Sequence, residues 1–90
     1  MESAVINELI ARIERYKRYP KRARDTGQER GVTLIVEIDA SGKMKTTEMA
    51  PGGNALFRRA TRSAAKYLKD YRTRANRAFR LEIPVRYRLD

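Results

Sequence analysis

The side chains that most often carry out chemistry in proteins are nearly absent from this sequence. None of its 90 residues is a histidine or a cysteine, so the commonest general base and the thiol nucleophile are both missing. Asp39, Ser41 and Lys43 lie close together. However, in Asp-Ala-Ser-Gly-Lys the aspartate can bond its own backbone and the glycine accepts a positive φ, which is typical of a turn. The sequence therefore predicts no catalytic residue, no metal site and no cofactor, and a protein that is not an enzyme.

Positive charge is the second chemical feature of the chain. Lysine and arginine number 21 against 11 acidic residues, a formal net charge of +10. The excess is concentrated in residues 58–90, which hold 11 basic and 3 acidic residues. Such a field favours anionic partners such as nucleic acids, anionic headgroups or acidic proteins. A candidate anion-facing stripe recurs at helical spacing, and its plainer interpretation is a solvated helix face; it consists of Arg58, Arg62, Lys66 and Lys69.

Nucleic-acid binding is the alternative function that this charge suggests. The sequence contains no RNP-type aromatic signature, no Gly-x-x-Gly clamp and no set of zinc ligands, which are the marks of common RNA- and DNA-binding modules. Its five tyrosines fall mostly in apolar stripes, which is typical of core residues. A small basic nucleic-acid-binding domain is therefore the second interpretation and is not favoured.

The last stretch of the chain has the clearest strand pattern. From Phe79 to Leu89 every odd position is apolar, and every even position except Pro84 is charged, which places one apolar stripe on the inner face of a sheet. Proline has no N–H for a ladder and is found at sheet edges or bulges. We therefore predict a terminal edge strand over residues 79–89. The missing N–H must interrupt either the sheet's own ladder or the ladder of an added strand.

An edge strand is either protected or used for pairing. The candidate partner-binding residues are Arg80, Leu81, Glu82, Ile83, Pro84, Val85, Arg86 and Tyr87. Two other interpretations stay open. The edge is inert and guarded by its arginines, or it pairs with the same edge of a second copy in a homodimer.

Two helices and a hairpin must position this strand. Residues 1–17 form an amphipathic helix that ends before Tyr19-Pro20, because proline disfavours the α conformation in the residue before it. Residues 31–50 form a β-hairpin, in which Met44 and Met49 both face the core only if a bulge lies near Thr46-Thr47. Residues 54–71 form a second helix with Asn54 as its N-cap.

The order of these elements defines the fold class. A helix followed by β-β-α-β predicts an α+β domain, with a three-stranded antiparallel sheet packed by helices. At 90 residues the chain forms one domain, 1–90. No apolar run approaches the ~20 residues that span a bilayer, and no signal-type segment follows Met1. We therefore expect membrane attachment only through an anchor outside this chain.

Several short motifs occur along this framework in a recognisable order. They are Lys17-Arg18-Tyr19-Pro20 with Ala23, Gly31-Val32, Ile38-Asp39, Gly42-Lys43-Met44, Phe57, Ala60 and Ile83 to Leu89. In that order and spacing, over Val5 to Leu89, the chain resembles the periplasmic C-terminal domain of the TonB family. The positions immediately before Tyr19 depart from the pattern, because Tyr16-Lys17-Arg18 stands where familiar members carry Gln-Pro.

The resemblance implies a function and a set of partners. Domains of this family bind the TonB box, a short N-terminal segment of an outer-membrane receptor, by adding it as a strand beside their last strand. They transmit energy from an inner-membrane motor complex of the ExbB/ExbD type for uptake of substrates such as siderophores or haem. In this chain the pairing falls on Arg80 to Tyr87, with Arg18, Tyr19 and Pro20 as a secondary contact. The implied location is the periplasmic side of the inner membrane, and a TolA-like cell-envelope adaptor is a near alternative.

Overall fold

Three antiparallel strands form the sheet of this protein in the order β2-β1-β3. The structure, a computed structural model, describes residues 2–89. The strands are β1 (Arg30–Ile38), β2 (Met44–Met49) and β3 (Phe79–Tyr87). The helices are α1 (Glu2–Tyr16), α2 (Lys21–Asp25) and α3 (Ala55–Ala65), and a 3-10 turn, Lys66–Leu68, follows α3. The predicted α+β fold with an N-terminal helix and a three-stranded antiparallel sheet is confirmed.

The central strand β1 pairs with β3 along its whole length. The register runs from Arg30 opposite Tyr87 to Ile38 opposite Phe79 without a shift. Alternate side chains of both strands point to the helices, as the period of two dictates, and are buried. These inward residues are Val32, Leu34, Val36 and Ile38 on β1, and Leu81, Ile83, Val85 and Tyr87 on β3.

The return strand β2 contains the bulge that its methionine spacing required. Thr46 lies opposite Glu37, whereas Met44 lies opposite Ile38, so Lys45 is the extra residue. The bulge therefore lies one residue before the predicted Thr46-Thr47. Its effect is the expected one: Met44 is buried, and Met49 packs against the margin of the core.

Helices α1 and α3 cover the inner face of the sheet. The apolar face of α1 buries Val5, Leu9 and Ile13. At the start of α3, the side-chain oxygen of Asn54 accepts a hydrogen bond from the backbone N–H of Leu56 at 2.7 Å, which is the predicted N-cap. In the described chain, no helix is both long and apolar enough to cross a membrane.

The second helix is shorter than the residues 54–71 that its apolar stripe predicts. Helix α3 ends at Ala65, and Asp70 has a positive φ of 61°. The reason is a contact with the hairpin, because the carbonyl of Tyr71 accepts from the Met44 N–H at 2.9 Å and Lys43 forms an isolated bridge with Arg72. These bonds to β2 replace the next helical turn.

Beyond Tyr71 the chain continues as a loop beside the hairpin. The Thr73 N–H donates to the carbonyl of Gly42 at 2.7 Å, and the Thr73 hydroxyl donates to the same oxygen. Gly42 is needed there because its φ is 92° and a Cβ atom would lie 2.3 Å from the carbonyl oxygen of Ala75. We call residues 70–75 the strap, since they cover the outer side of the hairpin where β2 begins.

Candidate partner-binding edge

The direction of the backbone groups on β3 decides whether its edge can pair. The Ala50 N–H donates to the carbonyl of Thr33 at 3.0 Å, so the backbone polar groups of Thr33 face β2 and not β3. Pro84 lies opposite Thr33 on the other side. In an antiparallel pair, residues opposite each other that do not exchange hydrogen bonds point their polar groups outward. The nitrogen and carbonyl of Pro84 therefore face away from β1.

The same alternation applies along the strand. Arg80, Glu82 and Arg86 are two or four residues from Pro84, so their N–H and C=O groups also face the outer side of β3. Pro84 contributes only a carbonyl to this row, and the ladder between β1 and β3 loses no bond to it. The missing N–H of Pro84 therefore leaves the sheet's own ladder complete and is a gap only in the outward row of β3.

The eight predicted partner-binding residues lie on β3 in two sets. Arg80, Glu82, Pro84 and Arg86 have exposed side chains on the face of the sheet that the helices leave open. Leu81, Ile83, Val85 and Tyr87 are no more than 4% exposed, and their side chains anchor the strand in the core. The edge is thus a rigid row of backbone groups, because the residues between them are fixed in the core.

One end of this row is covered by α1. The Lys17 ammonium, just beyond the helix, donates a hydrogen bond to the carbonyl of Arg86. It also donates to the Glu14 carboxylate at 2.6 Å and lies 4.6 Å from the centre of the Tyr87 ring. Sequence reasoning did not assign Lys17 to the edge, because Lys17 and Arg86 are 69 positions apart and no local pattern joins them.

Tyr87 fixes the same end of β3 from inside. Its hydroxyl lies 2.8 Å from the Thr61 hydroxyl on α3, and its ring stacks on Phe57 with centroids 4.7 Å apart. Burial raises the pKa of the Tyr87 phenol above its ordinary value. This end of the strand is therefore joined directly to α3 and, through Lys17, to the end of α1.

The predicted secondary contact is partly structural. The Tyr19 ring packs edge-on against both Phe57 and Tyr87, at 5.7 Å each, and its hydroxyl donates to the carbonyl of Gln28. Burial and the neighbouring Glu29 carboxylate raise the pKa of Tyr19. Pro20 precedes α2, and Arg18 is exposed. Of the three, Tyr19 and Pro20 are half-buried and only Arg18 is exposed.

The predicted basic stripe is divided in the structure. The guanidinium of Arg58 donates to the carbonyls of Ala50 and Gly52, both at 2.5 Å, so it holds the loop before α3. Arg62, Lys66 and Lys69 are exposed and, with Lys45, line an open cleft of about 400 Å³ between α3, the 3-10 turn and β2. The positive surface therefore lies beside β2, at the edge of the sheet opposite to β3.

Asp39, Ser41 and Lys43, the residues whose types could suggest catalysis, form the predicted turn. One carboxylate oxygen of Asp39 accepts hydrogen bonds from the Ser41 hydroxyl at 2.7 Å, the Ser41 N–H at 2.9 Å and the Lys43 N–H at 3.0 Å. These bonds lower the pKa of Asp39, with the Ser41 hydroxyl as the largest cause. Within residues 2–89, no group of three or more potential metal ligands lies close enough to hold an ion.

A helix-covered three-stranded sheet with an accessible last strand defines a small α+β domain suited to strand addition. The family model described as the Gram-negative bacterial TonB protein C-terminal matches residues 15–89, and the chain belongs to this family. The family is a periplasmic domain of energy transduction and transport, whose members interact with outer-membrane receptors, and it is not a known enzyme family.

Solved structures from the same family share the fold. The chain is similar to the solution structure of the Helicobacter pylori TonB C-terminal domain, residues 179–285, with a TM-score of 0.74 and 24% identity over 97% of this chain and 79% of that one. A second solution structure, of residues 194–285, gives a TM-score of 0.72 and 23% identity over 92% of this chain and 91% of that one. No curated protein matches the chain.

Proposed function

We propose that this chain is the receptor-binding domain of a TonB-type energy transducer, and that it binds the N-terminal box of an outer-membrane receptor as a fourth strand beside β3. The observation that carries the proposal is the outward row of backbone groups from Arg80 to Arg86, on an edge strand of a domain from this family. Pairing with that row gives an incoming segment main-chain bonds, and alternate side chains give it specificity.

The energetics of strand addition fit a reversible contact. A backbone hydrogen bond contributes about 1 kcal/mol net, whereas ordering an incoming residue costs about 1–2 kcal/mol. Pairing alone therefore roughly breaks even, and side-chain contacts must supply the affinity. Weak binding suits a domain that must release its receptor after each cycle.

The other components act through parts of the system outside this chain. In our proposal an inner-membrane motor complex of the ExbB/ExbD type supplies the energy, and an anchor segment holds the transducer to the inner membrane. The receptor then takes up a scarce nutrient complex such as a siderophore or haem.

A single substitution tests the proposed edge. Because the Glu82 N–H faces outward, Glu82→Pro removes a donor from the row while leaving the ladder to β1 intact. The matched control is Thr47→Pro, since the backbone N–H of Thr47 faces outward on the other edge of the sheet, strand β2. In NMR titrations with receptor-box peptides, we expect amide shifts from Arg80 to Ile83 in the unchanged protein and the Thr47 variant. For Glu82→Pro we expect a loss of affinity of about fivefold, which corresponds to one backbone hydrogen bond of about 1 kcal/mol.

Two results would contradict the proposal. One is peptide-induced shifts that are confined to α1 and leave β3 unchanged. The other is equal affinity of the Glu82 and Thr47 variants. Sedimentation over a range of protein concentrations separates peptide binding from homodimer formation, because a dimer through the same edge competes with peptide as concentration rises.

A further inference from the structure

The flank of α1 that faces the β3 edge is identified by its contacts. Lys17 reaches that edge. With 3.6 residues per turn, Ile6 and Ile10 lie on the same side of the helix axis as Lys17. The other flank faces the 3-10 turn and the strap, because Arg12 donates to the carbonyl of Tyr67 at 3.1 Å and Glu8 accepts from the Tyr71 hydroxyl at 2.6 Å. Helical geometry therefore puts Ile6 and Ile10 on the flank of α1 that faces the open side of β3.

These two isoleucines are only half-buried and pack against the margin of the core. An added strand would lie about 4.8 Å beyond β3, and every second side chain of it would point to the helix-covered side of the sheet. Those side chains would meet the exposed parts of Ile6 and Ile10. Covering this apolar surface supplies the free energy that backbone pairing alone does not.

Lys17 limits how far along β3 an added strand can pair, at the end of the strand near Arg86. Its ammonium already occupies the outward carbonyl of Arg86 and is held there by Glu14 and the Tyr87 ring. An incoming strand meets free carbonyls only from Arg80 to Pro84. To pair beyond Pro84 it must displace an ammonium group that has three partners.

We propose that the β3 edge and the α1 flank form one slot, in which Ile6 and Ile10 select a strand with alternating apolar side chains and Lys17 ends the paired segment before Arg86. The slot deepens the proposed function and rests on it, since it specifies which extended segments of a receptor fit. The partner is an extended peptide of about five paired residues, apolar at every second position.

The length limit is tested with Lys17→Ala and, as a matched control, Lys21→Ala, which removes an exposed lysine paired with Asp25. The probes are capped peptides of alternating valine and threonine, of about five and about eight residues. For the unchanged protein and the control, we expect the longer peptide to gain less than twofold in affinity, with no added shift at the Arg86 amide. For Lys17→Ala we expect a gain of about threefold or more and a shift at Arg86.

The apolar selection is tested with Ile10→Gln against Leu56→Gln, since Leu56 is a half-buried residue of α3, which no contact places at the edge. We expect Ile10→Gln to weaken the valine peptide about tenfold, and to weaken a peptide with alanine at the valine positions much less. Leu56→Gln should weaken neither. Melting temperatures check that each variant is folded.

The outcomes separate the slot from the proposed function. If peptides shift β3 but the longer one gains equally in the unchanged protein and in Lys17→Ala, or if Ile10→Gln weakens both peptides equally, the slot is overturned and strand addition stands. If neither valine peptides nor receptor-box peptides bind the unchanged protein, strand addition and the slot are both overturned.

Discussion

The two edges of the sheet are built differently. Strand β3 pairs with β1 over all its residues without a shift, and its outward carbonyls are open from Arg80 to Pro84, since Lys17 binds that of Arg86. Strand β2 is shorter and bulged at Lys45. Its first outward N–H, that of Met44, is bonded to Tyr71 in the strap. A bulge and a covering segment are two known ways of protecting an edge from unwanted pairing. The comparison shows that the domain bulges and covers one edge where β2 begins, and leaves most of the β3 edge accessible.

The largest expected effect comes from breaking the protection of β2. Gly42→Ala would place a Cβ atom 2.3 Å from the Ala75 carbonyl at a φ of 92°, so the strap must move away from the hairpin. We expect a loss of about 3–4 kcal/mol in the free energy of unfolding, measured by urea titration, and association through the uncovered β2 edge.

The control for this change is Gly52→Ala. Gly52 has a similar φ of 87°, but a Cβ atom added there would meet no other atom within 4 Å. It should lose about 1 kcal/mol from backbone strain alone. Similar losses for both variants would show that the strap does not depend on the close approach at Gly42.

The second-largest expected effect on stability comes from the end of β3 that Tyr87 anchors. Tyr87→Phe removes the bond to Thr61 and leaves the buried threonine hydroxyl without that partner. We expect a loss of about 1–2 kcal/mol in urea unfolding. The double variant with Thr61→Val should recover part of it, because both polar groups are then gone. A double variant less stable than Tyr87→Phe alone would contradict this account.

The turn that joins β1 to β2 gives a pH-dependent effect. The pKa of Asp39 is lowered in the folded state from its ordinary 3.8. Its stabilisation is therefore fully present above that value and is lost as the pH falls through the folded-state pKa. We expect Asp39→Asn to melt at a lower temperature than the unchanged protein at pH 7. The difference should shrink towards pH 2, and a constant difference would contradict the assignment.

The smallest effect concerns the basic cleft beside β2. The double variant Lys45→Gln, Lys69→Gln removes two of its positive charges. If the protein binds oligonucleotides, the slope of log affinity against log salt concentration should become shallower by about two. Receptor-box peptide affinity at the β3 edge should change less than twofold. Fluorescence anisotropy at several salt concentrations checks both. An equal loss of peptide affinity would mean that the two sides of the sheet share a partner.

Local sequence patterns account for much of this architecture. The alternation from Phe79 to Leu89 and the proline at residue 84 predict β3 because both depend only on neighbouring residues. The end of α3 was not predictable in this way. Tyr71 continues the helical stripe, but its carbonyl is bonded to the Met44 N–H from another part of the chain, which no local pattern shows. The contact of Lys17 with Arg86 at the candidate site was not predictable either, because it depends on how α1 packs on β3.

The position of Tyr87 has a mechanical consequence. Hydrogen bonds of an antiparallel pair lie across the strands, so in the proposed complex a load along the fourth strand acts on the whole β1–β3 ladder in shear instead of opening it bond by bond. The Tyr87 side chain anchors one end of that ladder, since it contacts Thr61, Phe57 and Lys17. In the proposed complex, tension on this edge is passed to α3 through Thr61 and Phe57 and to the end of α1 through Lys17.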